Sequence, residues 1–141
     1  MRLVVDASVA VKWLVEEDYS EIADKLLDER HQLFAPRLMA SEVGNALWRK
    51  ARLGEMERSQ AGLLAAAIPQ MAINWMSDEA VCPDAVRLSL ALDHPVYDCV
   101  YLALAHRIGA TLVTADVQFA DALLETEHGG VVVKLEDLAV E

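Results

Sequence analysis

Apolar residues along this chain fall into two rhythms. Some form short unbroken runs, and others return every three or four positions. The first pattern marks buried strands, and the second marks helices with one face in a core. Leu3-Val4-Val5 ends on Asp6, Leu33-Phe34-Ala35 stops at Pro36, and Thr111-Leu112-Val113 runs into Thr114-Ala115-Asp116. Val131-Val132-Val133 follows a Gly129-Gly130 turn. Runs of this kind suit parallel strands, which are covered on both faces. Helices are predicted over 7–15, capped by Asp6 or Ser8, and over 18–30, where Asp18 and Glu21 have capping-box spacing. A strong helix is predicted over 37–53 with Gly54 closing it, then another over 57–73 that Pro69 should end or kink. Ser77 and Asp78 open a helix to about residue 92, with Pro83 near its start. After the break at His94-Pro95, residues 97–107 form an Ala- and Leu-rich helix closed by Gly109, and 117–124 form a last short one.

Strands and helices alternate with short links, so the expected fold is α/β with a central parallel sheet of about four to five strands. The length of 141 residues fits a single domain over 1–141, with no repeat or linker to divide it. Hydrophobic residues make up 55% of the chain, which supports a core and argues against disorder. No apolar run approaches the roughly 20 residues that span a bilayer, and the N-terminus lacks a secretory signal's apolar stretch, so no membrane partner is expected. Cys82 and Cys99 form neither a framework nor a metal-type pair. They read as packing residues in a reduced, cytoplasmic setting.

Charge complicates the picture. Acids outnumber bases 23 to 12, for a net charge of −11, which argues against nonspecific attraction to phosphates. Any nucleic-acid chemistry must therefore arise from a local arrangement. In open α/β sheets the functional crevice lies beyond the carboxyl ends of the strands. Asp6 and Asp116 arrive at that edge from two strands, although each also serves as an ordinary helix cap. Glu42 lies inside the helix over 37–53, beside an apolar stripe of Leu38, Val43, Ala46 and Leu47. With Asn45, Arg49 and Arg52 it forms one polar flank at spacings of three, four and three. Such a flank is either plain solvated surface or a carboxylate set beside an amide and two guanidinium groups, which suits a metal and a phosphate. Asp98 occupies the first turn of a helix apolar enough to be buried; the helix dipole alone is sufficient reason for an acid there.

Three or four carboxylates in one partly buried cleft repel one another and raise each other's pKa. A divalent cation resolves the conflict, and oxygen donors without His or Cys clusters point to Mg²⁺ or Mn²⁺ that keeps several waters. Such an ion lowers the pKa of a bound water and stabilises charge on a transferring phosphoryl group. Ser8, Asn45 and Thr114 stand close in sequence to these acids as supporting polar groups.

Four motifs share one resemblance: Val4-Val5-Asp6-Ala7-Ser8-Val9; Ser41-Glu42-Val43 with Asn45-Ala46-Leu47; Pro95-Val96-Tyr97-Asp98 with Tyr101 through Ala105; and Thr114-Ala115-Asp116 with Phe119. In this order and spacing they resemble the PIN domain, and most closely the VapC toxins of type II toxin–antitoxin systems, from the first residues to about residue 124. The resemblance implies a three-layer α/β/α sandwich with Asp6, Glu42, Asp98 and Asp116 as an acidic quartet holding Mg²⁺ or Mn²⁺. Thr114 matches the hydroxyl residue that often precedes the last acid, while Asp121 stands too far on to join the site. Also implied are a metal-dependent endoribonuclease, a homodimer, and a VapB-like antitoxin whose C-terminal segment lies over the cleft.

Two other readings compete. An aspartate-nucleophile phosphohydrolase wants a second acid two residues after Asp6, where Ser8 stands, and a Lys that 98–121 lacks. An interaction module with a silent cleft has no use for the repulsion among four acids. Arg37, Arg49, Lys50, Arg52 and Arg58 could form a local phosphate-tracking patch or an ordinary solvated face. Trp13 and Trp48 suit packing better than base stacking, and the four scattered histidines have no ligand spacing and are given no role.

Overall fold

Five strands pair side by side in the computed structural model, which describes residues 1–138. They are β1 (Arg2–Val5), β2 (Gln32–Pro36), β3 (Asn74–Met76), β4 (Thr111–Thr114) and β5 (Val132–Lys134). All pairings are parallel, in the order β3-β2-β1-β4-β5. Leu3, Val4 and Val5 are buried because β1 is the middle strand, with both edges paired and both faces covered. Val5 faces Val113 in the register, so the next step along each strand brings Asp6 beside Thr114.

The links are helical: α1 (Ala7–Ala10), α2 (Ser20–Lys25), α3 (Leu38–Arg52), α4 (Arg58–Ala65), α5 (Asp78–Leu92), α6 (Val96–Ile108) and α7 (Val117–Leu124). Parallel strands joined this way cross over right-handedly, which sets α1 to α4 on one face and α5 to α7 on the other. Packing agrees: α1 and α4 lie against α3, and α5 lies against α6. The fold is the expected α/β/α sandwich. Helix α6 is its centre, with Cys99 through Ala105 all buried over β1, β2 and β4. Gly54 and Gly109 follow α3 and α6 with φ of 79° and 65°, the left-handed geometry that glycine adopts without strain.

The chain steps outward from β1 to β2 and β3, then returns to lay β4 on the far side of β1. That reversal opens a crevice beyond the carboxyl ends of β1 and β4.

Four local expectations need correction. The stretch 57–73 is not one helix. Helix α4 stops at Ala65, Pro69 sits in a 3-10 turn (Ile68–Gln70), and Asn74–Met76 forms the edge strand β3. Three residues without alternation carry no strand signal, and β3 is defined by its pairing to β2, aided by the Asn74 side chain donating to the Leu33 carbonyl at 3.0 Å. The capping box at Asp18 and Glu21 does not form either. Tyr19, at a left-handed φ of 67°, precedes a helix that ends at Lys25. Beyond it, the Asp28 carboxylate accepts the Arg30 backbone N–H, a local bond that competes with helix. The first helix keeps one α turn and continues as 3-10 through Trp13. Gly129-Gly130 falls inside a 3-10 segment (Glu127–Val131) rather than a simple turn. Among the described residues, no helix is long and apolar enough to cross a membrane.

Candidate active site

Strand β1 delivers Asp6 to the crevice and α1 begins at once, so the carboxylate caps that helix by accepting the Val9 N–H at 3.3 Å. Two hydroxyls also donate to it, from Ser8 and from Thr114 on β4. Only 8% of Asp6 is exposed, and burial pushes its pKa from 3.8 up to about 6, against the pull of those hydrogen bonds and with help from nearby Asp98. One carboxylate thus caps α1 and lines the crevice. Ser8 is not the cap; its hydroxyl accepts the Ala115 N–H at 2.9 Å and ties α1 to the end of β4. Thr114 does not reach the crevice, being fully buried behind Asp6, where it accepts the Asp116 N–H at 3.0 Å. Asp116 in turn caps α7 through the Phe119 N–H at 3.1 Å.

Glu42 enters from α3, half-buried, with the Tyr101 hydroxyl of α6 donating to it. Burial raises its pKa, and the neighbouring Asp98 and Asp78 push the same way while Tyr101 opposes them. Burial and the Glu42 charge keep the Tyr101 phenol protonated throughout the physiological range. Asp98, in the first turn of α6, shares a 2.6 Å hydrogen bond with His94 Nε2. The His94 ring stacks on Phe119 of α7, with centroids 4.8 Å apart.

All four acids line one cleft of about 590 Å³, together with Ser8, Asn45 and Arg49. The bases predicted to gather beside Glu42 do not stay together. Lys50 is held by Glu17 at 2.5 Å, Arg52 lies over the exposed Trp48 ring, and neither they nor Arg37 and Arg58 line the cleft. Trp48 is 52% exposed and stands outside the core, whereas Trp13 packs against it as expected. Asp121 is paired to Lys134 at 2.6 Å, away from the cleft. Sequence reading missed His94 and Tyr101. Their signal was spacing from Asp98: four residues before and three after it, within a turn of the same helix end. Among the described residues, no three His, Cys, Asp or Glu are grouped to hold a metal ion unaided.

The sequence model of the PIN domain matches residues 3–122, and all four acids lie within that span. Over 123 residues the chain is 37% identical to Ribonuclease VapC3 of Pyrobaculum aerophilum, covering 86% of this chain and 94% of that one. This chain belongs to the PIN-domain family, on its VapC branch. Solved structures agree on the architecture. PAE2754 from Pyrobaculum aerophilum superposes on this PIN domain with a TM-score of 0.72 at 26% identity, over 96% of this chain and 85% of the other. VapBC2 from Rickettsia felis, solved with a DNA fragment from their promoter, gives a TM-score of 0.66 over 95% of this chain and 98% of the other. At 13% identity that likeness is one of fold.

Proposed function

We propose that this PIN domain is a divalent-metal-dependent endoribonuclease of the VapC toxin kind, with Asp6, Glu42, Asp98 and Asp116 as its catalytic carboxylates. The observation that carries the reading is convergence: four acids from four separate places in the chain meet in one cleft at the sheet's switch point. The VapC3 relative is named a ribonuclease, which supports RNA as the substrate.

The donor set fits a hard cation. It offers carboxylate oxygens from Asp6, Glu42, Asp98 and Asp116 in one cleft, the hard donors that Mg²⁺ or Mn²⁺ takes beside its retained waters. Such an ion supplies an acidified water and positive charge for the phosphate. The chain's own residues hold the acids ready. Ser8 and Thr114 fix the two oxygens of Asp6, Tyr101 orients Glu42, and His94 orients Asp98. Thr114 also links Asp6 to the backbone of Asp116, which ties together the acids that follow β1 and β4. Asn45, one turn from Glu42, offers an amide to the cleft.

Cleavage of a 5′-labelled RNA in Mg²⁺, in Mn²⁺ and in chelator tests the reading. Asp6→Asn, Glu42→Gln, Asp98→Asn and Asp116→Asn should each lower the rate at least about a hundredfold, as loss of electrostatic groups in an active site does. Each should also shrink the rise in melting temperature that Mg²⁺ gives the parent protein. Full activity in any two variants sinks the quartet. The same kinship supports a homodimer in the cytoplasm and a VapB-like antitoxin that covers the cleft, and the Rickettsia felis neighbour is itself named VapBC2.

A further inference from the structure

Four carboxylates make a poor landing place for a polyanion, so something beside the metal must hold the RNA. Among the described residues lining the cleft, Arg49 is the one basic side chain, and it makes no hydrogen bond or ion pair. Its neighbours on α3 are committed elsewhere, Lys50 to Glu17 and Arg52 to Trp48. Arg49 lies seven residues after Glu42, roughly 10 Å along the helix, with Asn45 between them on the same flank. From α6 the cleft receives Tyr97, directly before Asp98 and 66% exposed. Its ring is thus open to solvent at the rim of an acidic cleft.

We infer that Arg49 and Tyr97 form a two-sided clamp for unpaired RNA, Arg49 taking a phosphate next to the cut and Tyr97 stacking a base. This rests on the ribonuclease reading above. A guanidinium fork binds phosphate in a bidentate manner, and an exposed phenol ring supplies a face for any base. Stacking requires a base freed from its partner, so the clamp selects single-stranded segments over duplex.

The test uses the full chain in an Asp116→Asn background, so that the strand survives. A fluorescein-labelled 12-nucleotide unstructured RNA and its annealed duplex are titrated in Mg²⁺ at several salt concentrations. The parent should prefer the single strand. Arg49→Ala should weaken binding about tenfold and reduce the slope of log K against log salt by about 0.7, the loss of one phosphate contact. Arg49→Lys should weaken binding less and keep the slope. Tyr97→Ala should lose about tenfold on the single strand and erase the preference over duplex, whereas Tyr97→Phe should retain both. Both side chains are exposed, so unchanged melting temperatures certify the folds. Parent-like RNA binding by both Ala variants overturns the clamp, leaves the nuclease reading standing, and gives these walls to a protein segment instead. If the Asp116→Asn chain binds no RNA and the unsubstituted chain cuts none, both readings fall.

Discussion

Asp6 shows how a single residue can serve fold and site at some cost to the fold. Its pKa of about 6, against 3.8 for the free side chain, means the folded protein takes up a proton in a window where the unfolded chain stays ionised. The Asp6 contribution to the stability of the metal-free protein should therefore become more favourable as pH falls from above 6 towards 3.8, the cost of the buried charge being felt in full above 6. A shift of that size corresponds to about 3 kcal/mol. Asp6→Asn removes the charge but leaves one acceptor for two hydroxyls, so a net gain of about 1–2 kcal/mol is expected near neutral pH, fading by about pH 4. Urea unfolding of the metal-free protein at both pH values checks this, and an equal difference at the two would refute it. Tyr101 is the complementary case. Tyr101→Phe keeps the buried ring and removes the hydroxyl that donates to Glu42 and accepts the Ala7 N–H, which should destabilise the protein by about 1–2 kcal/mol. It should also weaken Mn²⁺ binding, read by calorimetry, and so shrink the rise in melting temperature that Mn²⁺ gives the parent protein.

Among the elements, α3 matters most for the site, because one flank of it carries Glu42, Asn45 and Arg49 to the cleft. Its N-terminus has no cap from its own sequence, since Arg37 precedes it without a side-chain bond. The missing acceptor comes from α5: the Asp78 carboxylate takes the Leu38 N–H at 3.2 Å. Asp78→Ala should therefore cost about 1 kcal/mol, as lost caps do. The damage should be local, with faster amide exchange over the first turn of α3 and reduced cleavage because Glu42 lies one turn beyond it. Unchanged exchange there would assign Asp78 to α5 alone. Helices α1 and α7 take their caps from Asp6 and Asp116, so their starts are bound to the site itself.

For the whole molecule, the net charge of −11 and the exposed apolar groups point outward to partners. Leu53 and Leu63, on the α3–α4 side of the sheet, are 64% and 77% exposed, and no residue of α4 is fully buried. Surfaces of that kind are used in association. Light scattering should give twice the 15.5 kDa chain mass at micromolar concentration, and a monomer at every concentration counts against the dimer. The acidic field should speed encounter with a basic antitoxin, so the association rate should fall as salt rises. If the antitoxin sets an Arg against the four carboxylates, it competes with metal for the same oxygens. Inhibition should then weaken as Mg²⁺ is raised over an intact complex. Indifference to Mg²⁺ would favour simple steric blocking of RNA.

What could be read from the chain alone were features whose cause is local. Apolar triplets at β1, β2, β4 and β5 announce strands because buried parallel strands need apolar side chains on both faces. Gly54 and Gly109 announce helix ends because few other residues adopt their φ. Asp6 and Asp116 were marked by ending strands, Glu42 by the polar flank it shares with Asn45 and Arg49, and Asp98 by the first turn of a helix apolar enough to be buried. What escaped depends on partners distant in sequence. Strand β3 exists because β2 offers it an edge, and the α3 cap lies 40 residues away on α5. Tyr101 meets Glu42 across 59 residues, and Thr114 meets Asp6 across 108. The basic cluster beside Glu42 looked continuous in one dimension, yet Glu17 and Trp48 claimed two of its members and left only Arg49 in the cleft. Local propensity names the acids and the elements that carry them; only the sheet's strand order decides that the acids meet, because its reversal between β1 and β4 is what opens the crevice.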